Sequence, residues 1–235
     1  MDTSTAGTTG EELNWCVGFD AVYWGDLELR ISADKLPLMG VECVAGGIMI
    51  HDAIGDLLGL ESIVRVEGGI GVSALEYPGT LSSMAGLNNL QYAGGLAVTY
   101  SEISSLAGLE ALEELSWGGL FLYANPNLHE LSGLAALYTI EGSVALGSHV
   151  FQTPYPGLQD LGGLQALRTV GIDLEIVETS LTDLDELAAL ESVGGYALIT
   201  FNKLLPSCEA KELLDGIIVG ETQEYSGNKP DACDP

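Results

Sequence analysis

Basic residues are scarce in this sequence. Lys and Arg number 7 against 34 Asp and Glu, a net charge of −27. Such a chain repels phosphate backbones and anionic lipid, which excludes nucleic acid and acidic membrane surfaces as partners. The acidity suits salt adaptation and a cationic partner equally. No apolar run approaches the roughly 18 residues of a membrane-spanning helix. The 3 histidines, His51, His129 and His149, lie far apart and never form H-E-x-x-H. There is no G-x-S-x-G, and none of the cysteines sits in C-x-x-C. Zinc, redox-dithiol and serine-hydrolase chemistry are left without a motif. The expectation is a non-catalytic protein with no cofactor and no metal. Asp183, Asp185 and Glu186 form a small acidic cluster without the D-x-D-x-D-G pattern of a calcium loop, and read as a solvated turn. Disorder is the usual companion of high net charge, but 47% hydrophobic residues over 235 positions are enough for the core of one domain.

What the chain has instead is an internal repeat. LNNLQYAGGLAVTY, LEELSWGGLFLYAN and LESVGGYALITFN share a frame, as do MAGLNNL, LAGLEAL, LSGLAAL and LGGLQAL. The frame's glycine recurs at Gly46, Gly68, Gly94, Gly118, Gly142, Gly171 and Gly194, within the roughly 20–30-residue period of solenoid repeats. In GGLFLYAN, alternation predicts a short strand with Leu120 and Leu122 inward, and Asn125-Pro126-Asn127 predicts a turn. The L-x-x-L-x-G-L-x-x-L that follows predicts a bend or short helical turn with inward leucines. One coil cannot bury its own leucines, so coils must stack. The glycines are expected at tight backbone corners. Gly69-Ile70-Gly71-Val72-Ser73-Ala74 fits a dinucleotide-binding pattern, but Leu75-Glu76-Tyr77-Pro78-Gly79 breaks the helix it would need.

Cys16 and Cys43 flank the first strand-like segment, and Cys208 and Cys233 flank the last helix-like one. A disulfide at each end of the array, stapling a cap over the exposed cross-section, is the economical reading and implies an oxidising compartment. Four reduced, buried thiols are the alternative.

The unit L-x-x-V-G-G-x-L-x-I-x-x-N-x-x-L-x-x-L-x-G-L, the two cysteines around GDLELRI, and the terminal N-x-x-L-P-x-C-E-A of Asn202–Ala210 resemble the receptor L-domain family. The likeness is greatest to bacterial surface proteins and lipoproteins built from this repeat. It implies a mainly β, right-handed, leucine-rich-repeat-like β-solenoid with short helical turns and disulfide-stapled caps. It also implies extracellular recognition, and it carries over no particular ligand. Expected boundaries are a Ser/Thr/Gly tether at 1–13 and one solenoid domain at 14–235. Within the domain lie an N-cap at 14–45, repeats at about 46–205 and a C-cap at 206–235. The Ser/Thr/Gly tract looks like a lipoprotein tether, so the protein is expected to be secreted or on a bacterial surface after an export signal that this sequence does not carry.

Alternation along the strands points Met49/His51, Gly71/Ser73, Ala97/Thr99, Phe121/Tyr123, Ala145/Gly147, Glu175/Val177 and Leu198/Thr200 outward. With Glu175 its one acid, that face is nearly bare of charge and suits a partner surface or a sugar-stacking platform. Two longer repeats add LEYPG (75–79) and HVFQTPYPG (149–157), loops that can carry aromatics to a ligand. The candidate ligand-binding residues are Met49, His51, Thr99, Phe121, Tyr123, Phe151 and Tyr155. The partner would be a protein or glycan at the cell surface, or, in a scaffold role, further copies of the same chain.

Overall fold

Leucine at every third position decides how the back of each turn of chain is built. Leu131, Leu134, Leu137 and Ile140 are fully buried. The Leu134 N–H donates to the Leu131 carbonyl at 2.8 Å, and the Leu137 N–H to the Leu134 carbonyl at 2.9 Å. Bonds from i+3 to i give about three residues per turn, so every third side chain falls on the same side. Ile103, Leu106, Leu109 and Leu112 follow the same rule, as do Leu161, Leu164 and Leu167. The computed structural model describes residues 16–51, 54–74, 79–147 and 157–234.

After its leucines each turn of chain extends into strands that form two ladders. The first joins β1 (Val22–Tyr23), β3 (Cys43–Val44), β7 (Glu114–Leu115), β9 (Thr139–Ile140), β11 (Thr169–Val170), β13 (Ser192–Val193) and β15 (Ile218–Val219). The second joins β2 (Leu27–Leu29), β4 (Ile48–His51), β8 (Leu120–Tyr123), β10 (Val144–Gly147), β12 (Leu174–Val177), β14 (Ala197–Thr200) and β16 (Gln223–Glu224). β5 (Arg65–Ser73) and β6 (Tyr92–Thr99) run through both ladders and unite them in one 16-stranded sheet. Neighbouring strands are parallel throughout the described residues. The alternation read from the sequence holds: Ile48, Ile50, Ile70, Val72, Leu96, Val98, Leu120, Leu122, Val144, Leu146, Leu174, Ile176, Ala197 and Ile199 all lie in the core.

The glycine frame has a different cause from the one expected. The repeat's glycines do not need left-handed backbone; they are sites of close approach. A Cβ on Gly94 would sit 2.3 Å from the Glu67 carbonyl oxygen, on Gly171 2.1 Å from that of Glu141, and on Gly194 2.1 Å from that of Gly171. Each coil lays its bare backbone on the carbonyl below, a place with no room for a side chain. Left-handed backbone is needed instead in the leucine turns. Gly86, at φ +118°, occupies the third position of the turn whose Leu87 N–H meets the Met84 carbonyl, where a type II turn requires φ > 0. Asp185-Glu186 replaces this glycine in a later coil because that segment is a 3-10 turn (Asp185–Leu187), which keeps φ negative.

A second corner follows β6, β8, β12 and β14. Tyr100, Ala124, Glu178 and Phe201 adopt φ between +52° and +61° and each precedes a buried polar residue: Ser101, Asn125, Thr179 and Asn202. Asn202 Oδ1 accepts from the Thr179 N–H at 2.9 Å and its Nδ2 donates to the Ile176 carbonyl at 2.9 Å. Asn125 bridges Ser101 and Val98 in the same way, and Asn228 bridges Asn202 and Ile199. These side chains supply the partners that the turning backbone lacks, which is why amides are tolerated inside.

Both ends carry the anticipated disulfides. Cys16 pairs with Cys43 and Cys208 with Cys233, and no described cysteine is free. Helix α1 (Ser207–Gly216) lays Ala210 and Leu214 over the last coil. The 3-10 turn Ser32–Leu38 buries Leu38 at the first, and Lys35 there reaches Asp56 Oδ1 at 2.6 Å. No described helix is long and apolar enough to cross a membrane.

Candidate functional site

The outward face of the second ladder consists of two rows. Register places Glu28, Met49, Gly71, Ala97, Phe121, Ala145, Glu175, Leu198 and Glu224 side by side across the sheet. His51, Ser73, Thr99, Tyr123, Gly147, Val177 and Thr200 form the row beside it. The face is less bare than the sequence suggested, because Glu28 and Glu224 stand at its two ends. Ala145 and Thr200 point to this side yet are only 3% and 6% exposed; Ala145 is closed over by its larger cross-strand neighbours Phe121 and Glu175.

The residues singled out from the sequence fall into separate groups. Met49 is 46% exposed, and its thioether end lies across Gly71, where a Cβ would be 2.7 Å from the Met49 Cε. His51 Nε2 lies 2.6 Å from Glu28 Oε1, which also accepts from Arg30 at 2.8 Å. Those two hydrogen bonds hold the Glu28 carboxyl below its ordinary range, Arg30 contributing most. Thr99 neighbours Tyr123 across the ladder, and the Phe121 and Tyr123 rings stand 6.0 Å apart. Burial, then the Glu175 charge, raises the Tyr123 phenol. Tyr196 donates to Glu175 Oε1 at 2.5 Å, and that bond lifts its own pKa to about 12. Phe151, Tyr155, Tyr77 and His149 lie outside the described residues. His129 Nδ1 donates to the Gly157 carbonyl at 2.9 Å, far along the chain from His51. The two places where potential metal ligands converge among the described residues both contain disulfide sulfurs, which are not thiolates.

The most pronounced feature of the face arises from a count of residues. The corner between the ladders takes three residues in β5 (Glu67–Gly69) and three again between β9 and β10 (Glu141–Ser143). In β6 it takes two (Gly94-Gly95), and in the next coil four (Ser116–Gly119). The ladders stay in step, with a register shift between Val66 and Gly69. The short corner leaves a recess and the long one throws out its extra residue, Trp117, which is 71% exposed. On one side of this ring lies a groove of about 540 Å³ floored by Gly69, Gly71, Gly95 and Ala97, with Met49 along it and Asp26 and Glu28 at the rim. On the other side a second groove of about 510 Å³ is lined by Arg65, Glu67, Tyr92, Glu114 and Glu141. The Arg65 guanidinium lies 3.5 Å from the Tyr92 ring centroid and its Nε bonds to Glu67.

Trp117 and Tyr92 were not singled out from the sequence. The signal was present: SWGG stands where the preceding coil has only GG, and Trp117 is one of the two residues added there. No family model, curated protein or solved structure matches this chain.

Proposed function

We propose that this chain is a right-handed β-solenoid of the receptor L-domain kind, displayed outside the cell, that serves as a non-catalytic recognition module for a protein or glycan. Support for the architecture comes from the two parallel ladders in step, the leucines at every third position and the family motifs in the sequence. The two disulfides suit an oxidising, extracellular setting. The observation that carries the recognition reading is the exposed Trp117 ring between two open grooves. A large ring held out by an added residue, beside a floor of glycine and alanine, is suited to contact rather than to folding. The test is a screen of the purified protein against arrayed glycans and surface proteins from its own surroundings, with Trp117→Ala and Tyr123→Ala in parallel. Ligands lost on either change support recognition through this face. Ligands indifferent to both, or none at all, would sink it.

Assembly with further copies is a second reading, favoured by the sheet's ends. β2 and β16 have no outer partner among the described residues, and Ile218 in β15 is 73% exposed. Unpaired parallel edges are templates for addition. Light scattering over a hundredfold concentration range separates the two: a strict monomer throughout excludes assembly.

A further inference from the structure

The two grooves beside Trp117 differ in chemistry, and that difference narrows the ligand. The groove over Gly71 and Ala97 offers few polar groups. Its rim carboxylates are partly engaged within the fold: Asp26 Oδ1 accepts the Gly47 N–H at 2.7 Å, and Glu28 Oε1 faces both Arg30 and His51. A sugar laid there would lose water from its hydroxyls and find few groups to replace it, which is costly, whereas an apolar side chain loses nothing. The opposite groove is acidic. Glu67, Glu114 and Glu141 face a single cation, Arg65. Glu67 is spent on Arg65, while Glu114 and Glu141 have no ion-pair partner among the described residues. Arg65 also shows what this lining holds, since its guanidinium is stacked on Tyr92 and paired to a carboxylate at the same time. On a chain of net charge −27 the long-range field adds to the attraction for a cation.

We propose that the grooves form one bipartite site for an extended polypeptide segment of a partner. The segment sets a lysine or arginine against Glu114 and Glu141, and an apolar side chain on the floor of Gly71 and Ala97, astride Trp117. The inference rests on the recognition reading above and commits it to a basic–apolar peptide. Trp117 supplies contact to both side chains, and Met49, a flexible thioether, adapts the apolar floor to the occupant.

The experiment is selection of a phage-displayed random dodecapeptide library on the immobilised full chain, followed by titration of synthetic winners by fluorescence anisotropy. The expected winners pair a basic residue with a large apolar one. Their affinity falls about tenfold or more with Trp117→Ala and with the double change Glu114→Gln/Glu141→Gln, and weakens as salt rises. The three positions are exposed or half-exposed, and a melting curve for each variant checks that the fold is retained. Winners without a basic residue, or indifferent to the carboxylate changes, overturn the proposal. An empty selection overturns it as well. If a glycan array run on the same protein then gives Trp117-dependent binding, recognition survives and only the peptide assignment falls. If that array is also empty, both readings fall together.

Discussion

At the scale of single residues, the polar groups inside this protein are as constrained as its leucines. Asn202 satisfies the Thr179 N–H and hydroxyl and the Ile176 carbonyl at once. Asn202→Ala strands several buried groups, each worth about 1–3 kcal/mol. The expected loss is about 3 kcal/mol or more in urea unfolding, whereas exposed Asn127→Ala should lie within about 0.5 kcal/mol of the parent. Titration offers a second residue-scale test. Burial, then the charges of Asp185, Glu212, Asp183 and Asp231, push Glu209 above its ordinary value of 4.5. A carboxyl whose folded pKa is raised favours the fold when protonated. Its penalty is therefore absent below the unfolded pKa and complete above the folded one. Glu209→Gln should raise Tm at about pH 7, and the gain should vanish near pH 4. An equal gain at both pH values would mean that charge is not the cause.

At the scale of the strand and turn, glycine carries the design. A methyl on Gly171 would meet the Glu141 carbonyl oxygen at 2.1 Å, while one on Gly216 meets nothing within 4 Å. Gly171→Ala should cost about 1–3 kcal/mol through forced separation of two coils, and Gly216→Ala should be neutral or slightly stabilising. Comparing their denaturation midpoints tests whether the repeat's glycines serve close approach. This scale also shows how far the sequence could be read. Alternation in LFLY and its relatives placed Leu120 and Leu122 inward because a strand has only two faces. The leucine triplets placed Leu131, Leu134 and Leu137 inward because period three has one solution. The frame did not show that Gly171 lies on Glu141 rather than on Gly142, since a one-residue slip in a corner leaves the spacing of apolar residues almost unchanged. Trp117 escaped for the same reason. Its prominence depends on the shorter corner in β6, a relation between two coils that no single repeat displays. Ala145 was read as outward correctly, but its cover comes from neighbouring strands and lies beyond alternation.

At the scale of the molecule, the ladder is held from its ends. The disulfides close segments with separations of 27 and 25 residues, each contributing about 3–4 kcal/mol in the chain-entropy model. Reduction should lower Tm markedly and make the first and last coils exchange their amide protons before the middle ones, because end coils have a neighbour on one side only. Uniform exchange along the chain on reduction would show that the ends are not where opening starts. The unequal corners have a further consequence. Each inward side chain has its address set by the coil beneath it, so the core keeps time by leucines and ignores how many residues pass between ladders. The slack in this otherwise taut belt lies ahead of the frame glycine, where Trp117 is thrown out. Foreign loops spliced in at Trp117, ahead of the closely packed Gly118, should leave both ladders in step, which makes that point a natural place to graft new surface onto an unchanged frame.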